Sequence, residues 1–248
     1  ALGVGLEHQG KWFFAMPGVP EEMIPMLENE VLPRIRRISG EPTVLRSRVL
    51  HCWGLGESAV SELLDDLFTS SNPSVAFLIT DMEVRVRITA KAESEPAALA
   101  LIGPMEDEVR RRLGDVVFAE GDETVDRILL DLLDTAGWTV ATVETATFGQ
   151  IGARLAMADT DGSRFAGTAI PGLDPGSVPR GDVVLEVGSI GPDVAGDART
   201  TRAVTMRVTT PSGETTRTFE FGGDDERLRS FATIAGLHLL RTALETSP

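Results

Sequence analysis

The chain has no tyrosine, a single cysteine, Cys52, and only two lysines, Lys11 and Lys91. Beyond position 91 there is therefore no lysine base and no tyrosine proton donor for a reaction to use. One cysteine excludes an intramolecular disulfide and a cysteine-rich zinc site, and it is what a reducing compartment permits. Positive charge is scarce as well. With 23 lysines and arginines against 38 acidic residues the formal charge is −15 and the pI near 4.6, which repels nucleic acid and anionic lipid over most of the surface. Long apolar runs are missing: "VAFLIT" and "DVVLEV" fall far short of the roughly 20 residues of a membrane helix. We expect a cytoplasmic protein with neither nucleic acid nor membrane as partner, in which any anionic ligand is held locally.

What is present reads as three segments. Residues 1–41 offer a short strand, "KWFFAM", a turn, "PGVP", and a helix with Pro20 at its first position and Glu21 and Glu22 favoured by the helix dipole. One strand and one helix do not make a domain, so this is either an arm or the tail of a domain whose body is absent. Its large apolar side chains, among them Phe13, Phe14, Met16, Met23, Met26 and Leu27, need a surface to pack on. The middle unit or a second copy of the chain, giving a homodimer, is expected. Residues 42–121 read as a βαββα unit. Its first helix places Val60, Leu63, Leu64 and Leu67 on one face, and its strand "EVRVRITAKA" alternates Val84, Val86, Ile88 and Ala90 with Arg85, Arg87, Thr89 and Lys91. Residues 122–248 begin with an amphipathic helix ended by Gly137. A buried strand, "GWTVATV", a loop and a second helix follow. Then come "RFAGTAI", "DVVLEVGSI", a hairpin turning at Pro211 to Gly213, and a closing helix from Asp225. The order of elements implies an α/β layer fold.

Three stretches, in order, resemble one family, the competence/damage-inducible protein A (CinA) family. "AMPGVPEEM" resembles the end of its N-terminal molybdopterin-binding-like domain. "WGLGESAVSELLDDL" with "VRVRITAKA" resembles its small KH-type domain. "LLDTAGWTVATVETATFGQIGARLA" resembles the opening of its C-terminal nicotinamide mononucleotide deamidase domain. The resemblance implies a small α+β KH-type domain followed by a three-layer α/β C-terminal domain. It implies a link to pyridine-nucleotide metabolism, with a pyridine nucleotide or an ADP-ribose-like molecule as ligand; no cofactor is expected. The ADP-ribose pyrophosphatase site of the family would need an N-terminal part that is missing here.

The family motif Glu-Ser-x-Thr-Gly-Gly falls on residues 144–149. Glu144, Thr147 and Gly149 match, Thr145 replaces the serine nucleophile, and Phe148 replaces the first glycine. Carried over residue by residue, Thr145 is the catalytic candidate, and Glu144, Thr147, Gly149, Gly191 and Arg227 are ligand-binding candidates. "GSIGPD", with Gly188 and Ser189, stands for the family's Thr-Gly-Ile-Ala-Gly-Pro loop, and Asp225 stands where an arginine is expected, so Arg227 substitutes only if the helix start shifts. The family's assisting tyrosine and lysine are missing. The threonine methyl restricts Thr145, and a phenylalanine at 148 removes φ freedom and fills space meant for phosphate. We therefore expect a degenerate site in which Thr145 and Thr147 cap the next helix, with the domain serving in nucleotide binding or assembly. The alternative is an active nicotinamide-nucleotide amidohydrolase using Thr145. Elsewhere, Gly54 to Glu57 reads as a glycine turn, Arg85, Arg87 and Lys91 as a solvated or interdomain face, and His238 as a packed residue. His51 and Cys52 have no partners at metal-ligand spacing, so no metal site is expected.

Overall fold

The computed structural model describes residues 2–40, 43–80, 82–172, 179–194 and 201–247. The expected boundary at 41/42 and the centre of the Pro/Gly loop, 173–178, lie outside them.

The first segment is a hairpin of β1 (Val4–His8) and β2 (Lys11–Ala15), followed by α1 (Pro20–Met26), a wide helical turn over 27–31 and α2 (Leu32–Ser39). Pro20 does lie in the first turn of α1, with Glu21 and Glu22 beside it. Strand β1 is an addition to the expected elements; among the described residues it pairs with β2 alone, and its residues are all exposed. These elements pack chiefly on one another. Val31 is the only buried hydrophobic residue described in the segment, while Leu2, Val4, Leu6, Phe13, Ile35 and Ile38 stay exposed.

The middle unit runs β3 (Val44–Cys52), α3 (Glu57–Leu64), β4 (Ser74–Thr80), β5 (Glu83–Ala92), α4 (Glu95–Leu113) and β6 (Val117–Glu120). The antiparallel sheet has the order β4-β5-β3-β6. Val84, Val86, Ile88 and Ala90 all point inward, as the alternation requires, and pack with Leu50, Val60, Leu64, Ile102 and Val109. Two details differ from the βαββα expectation. Leu63, placed on the apolar face of α3, is exposed, and β6 adds a fourth strand beside β3.

The C-terminal unit consists of α5 (Val125–Ala136), β7 (Val140–Glu144), α6 (Gln150–Ala158), β8 (Phe165–Ala169), β9 (Val183–Val194), β10 (Thr201–Thr210), β11 (Gly213–Gly222) and α7 (Asp225–Glu245). Helix α5 ends where expected, on Gly137 in the left-handed conformation at φ 69°. The sheet order is β11-β10-β9-β7-β8, parallel around β7 and antiparallel through β10 and β11. Helix α6 packs on β7 and β8, and α7 packs on β9, β10 and β11. Helix α5 packs against both of these helices. Sheet, helix pair and outer helix thus follow as three layers of an α/β fold, with Leu129, Leu133, Ile151, Leu185, Met206, Leu228 and Leu237 in the core. Asp126 of α5 grips Arg154 of α6 through two hydrogen bonds of 2.8 and 2.5 Å.

The middle and C-terminal units meet at a buried cluster. His238 of α7 is 1% exposed and its Nε2 lies 2.8 Å from Glu83 Oε1 at the start of β5. Trp53 stacks flat on the imidazole at 4.5 Å, and Phe118 meets it edge-on at 4.5 Å. His238 is thus a packed residue, as expected.

Candidate functional site

The site is the junction where β7 turns into α6. Strand β7 ends on Glu144, a carboxylate with no exposed surface, which is costly unless its lone pairs are met. They are met in full. Thr142 and Thr168 hydroxyls, 2.7 Å from one another, reach Oε1 at 2.8 and 3.2 Å. The Thr147 hydroxyl donates to Oε2 at 2.7 Å. The main-chain amides of Ile151 and Gly152 donate to Oε2 and Oε1 at 3.0 and 2.7 Å.

Those two amides belong to the first turn of α6, whose N–H groups have no partner within the helix. Glu144 therefore supplies the negative charge that a helix start attracts. The expectation that Thr145 and Thr147 cap the helix is corrected here: the helix starts at Gln150, its N-cap is Gly149 at φ 82° with no side-chain cap, and Thr147 serves by holding Glu144. Close packing locks the arrangement. A Cβ on Gly149 would come within 2.8 Å of Ile170 Cδ1, and one on Gly152 within 2.7 Å of Thr168 Cβ.

Thr145, the candidate nucleophile, is half-buried. Its amide donates to Val187 O at 2.9 Å, and the amide of Ala146 donates to Gly188 O at 3.1 Å, so the loop continues the pairing of β7 with β9. Among the described residues its hydroxyl makes no hydrogen bond, and no base stands beside it.

Phe148 keeps the left-handed backbone at φ 51°, a conformation in which a bulky residue is strained by about 1 to 3 kcal/mol. The loop thus retains the turn expected of glycine, and what changes is the side chain. The ring is 54% exposed, and the Arg229 guanidinium carbon lies 4.8 Å from its centroid. Arg229, two residues beyond Arg227 at the start of α7, is the residue that sequence reasoning missed. Helix α7 starts at Asp225 as expected, without a shift, and it is Arg229 rather than Arg227 that reaches the loop.

The remaining candidates stand apart from the junction. Gly191 lies on β9 at a bulge, where a Cβ would sit 3.3 Å from Ala203 O. Arg227 lines a cleft between the middle and C-terminal units to which residues 144–149 do not contribute. Cys52 is buried and its thiol is pushed up to about 12 by desolvation, which leaves it unreactive at neutral pH. Among the described residues no group of histidine, cysteine and carboxylate side chains is arranged to hold a metal, and no helix is long and apolar enough to cross a membrane.

Comparison with known proteins defines the class first. The family description "Damage-inducible protein CinA KH domain" matches residues 47–119, within the middle unit. A competence-damage inducible protein of Clostridium beijerinckii is 33% identical over 277 residues, covering 98% of this chain and 67% of its own length. A namesake from Moorella thermoacetica is 36% identical over 217 residues, 86% of this chain and 52% of its own. The chain belongs to the CinA family, and it spans about half the length of the Moorella relative. The solved CinA-superfamily protein of Enterobacter cloacae superposes on 53% of this chain and 99% of its own with a TM-score of 0.41 at 18% identity.

Proposed function

We propose that the C-terminal unit is a deamidase-type fold that no longer hydrolyses nicotinamide mononucleotide and acts instead in assembly, holding the middle unit through His238 and Glu83. The observation that carries this reading is the carboxylate of Glu144 seated on the start of α6. The amides of Ile151 and Gly152 are spent on it, so a phosphate arriving at this helix start finds an anion already there. Phe148 and Arg229 cover one another above the loop, and neither a lysine nor a tyrosine follows residue 91 to activate Thr145. General acid–base assistance of that kind is worth about 10² to 10⁴ in rate.

The exposed apolar side chains of residues 2–40 fit the same role, as the surface through which two copies associate into a homodimer. Purified protein should release no ammonia from nicotinamide mononucleotide above buffer, and Thr145→Ala should leave that background unchanged. Turnover that disappears in Thr145→Ala would overturn the proposal and make Thr145 a nucleophile.

A further inference from the structure

Between the middle and C-terminal units lies a cleft of about 810 Å³, a size within the roughly 300 to 1,000 Å³ of small-molecule sites. Trp53 and His238, stacked on one another, lie against it. One wall is formed by β11 and the start of α7, and it carries Arg217, Phe219 and Arg227. The opposite wall is the glycine turn that enters α3, where a Cβ on Gly54 or Gly56 would meet nothing within 4 Å. The backbone there is bare to the open space.

The charges in the cleft are of two kinds. Arg217 and Arg227 have no ion pair among the described residues, in a chain where acidic side chains outnumber basic ones 38 to 23. Most other described arginines of the two units are taken: Arg46, Arg48, Arg110, Arg112, Arg154 and Arg202, for example, each face a carboxylate. Glu57 and Asp115 of the middle unit, and Glu220 of β11 itself, bring carboxylates to the same space. A single guanidinium donates two parallel hydrogen bonds to a phosphate. Carboxylates accept from hydroxyls and amines, as they do with ribose, and part-exposed indole and phenyl rings offer faces to a planar heterocycle.

From this juxtaposition we infer that the cleft binds a mononucleotide, with its phosphate on Arg217 or Arg227, its ring against Trp53 and Phe219, and its sugar hydroxyls or ring amine on the carboxylates. A bare phosphate would bring no donors to Glu57, Asp115 and Glu220 and would be repelled by them. A flat apolar molecule would leave both guanidinium groups without an anion. A mononucleotide meets all three sets of groups.

The inference is independent of the silence proposed for the junction, because residues 144–149 do not line the cleft. Ammonia release and cleft binding are separate readouts.

The test is titration with the common ribonucleoside 5′-monophosphates, with adenosine and inorganic phosphate as controls. Binding is followed by calorimetry on the unsubstituted chain and by tryptophan emission in Trp12→Phe/Trp138→Phe, where Trp53 is the sole indole. At least one monophosphate should give a saturable heat and a saturable change in Trp53 emission. Arg217→Gln/Arg227→Gln should weaken it at least roughly tenfold, the loss expected of one charge-assisted hydrogen bond, with the melting temperature unchanged. Adenosine and phosphate should each bind at least as weakly as that variant does. No saturable heat with any monophosphate, heat without a Trp53 response, or an affinity that the double variant leaves intact would each overturn the inference.

Discussion

Glu144 and Glu83 are the two most deeply buried carboxylates among the described residues, and they are held in opposite ways. Glu144 lies within one unit, met by main-chain amides and threonine hydroxyls, none of them charged. Glu83 lies where two units meet, among His238, His51, Trp53 and Phe118, with the His238 ring at 2.8 Å and His51 Nδ1 at 3.9 Å. The first fixes the path of the backbone, since every donor to it comes from β7, β8, α6 or the loop between β7 and α6. The second fixes one unit against another and depends on the protonation of a histidine. Losing Glu144 should therefore damage the C-terminal fold itself, whereas losing Glu83 should damage the union of the units.

The sharpest way to break this contrast is to remove both carboxylates in turn. Glu144→Ala leaves two buried amides without a partner, and at about 1 to 3 kcal/mol for each unmet group the expected loss is about 2 to 6 kcal/mol in chemical denaturation. Glu83→Ala removes one hydrogen bond from His238 to a carboxylate, worth about 1.5 to 3 kcal/mol. Its signature should be faster proteolysis near Gly121, whose carbonyl lies 2.9 Å from His51 Nε2. Equal cleavage in the two variants would erase the distinction. Gly152→Ala forces a methyl against Thr168, and overpacking of this kind costs about 1 to 3 kcal/mol, again measured by denaturation.

The pH dependence separates the two regions further. Burial holds His238 below its ordinary value of 6.5, outweighing Glu83, which pulls the other way. Geometry agrees, because Nε2 faces the carboxylate while Nδ1 lies 3.4 Å from Arg241 Nε, a donor, so Nδ1 acts as acceptor in a neutral ring. The folded chain thus keeps His238 neutral over a range in which the unfolded chain protonates it. This contribution to stability is full above about pH 6.5 and is lost as pH falls from there toward the depressed folded value. Thermal melts across pH 5 to 7.5 should show a decline on the acid side that is shallower in His238→Gln. An unchanged slope would remove His238 as its source. The smallest effect belongs to Thr145→Ala, expected to shift stability by less than about 0.5 kcal/mol, because its hydroxyl holds nothing among the described residues.

The repeating patterns of the chain made most of the fold legible. The alternation through Val84, Val86, Ile88 and Ala90 and the stop at Gly137 place β5 and α5 because each reflects a local rule. Strand β1 was not legible, since its residues face solvent on both sides and only β2 fixes it. Strand β6 is short and lies at the sheet edge. At the site, the residue types at 144–149 marked the junction, but not what each one does. Thr142 and Thr168 meet on Glu144 from two strands, 26 residues apart, and Arg229 reaches Phe148 from α7. Such convergence is set by packing rather than spacing. The helix cap was misplaced for the same reason: Thr145 and Thr147 satisfy the local rule, and the partner that wins comes from the end of the preceding strand.

Glu144 is the anion at the start of α6, and amide hydrogen exchange at Ile151 and Gly152 reads this directly. Both amides should exchange as slowly as the core of β7 in the unsubstituted chain, should be unaffected by nicotinamide mononucleotide, and should lose their protection in Glu144→Ala under conditions where β7 remains protected. Fast exchange that becomes slow only when the nucleotide is added would contradict it and return the junction to service as a ligand site.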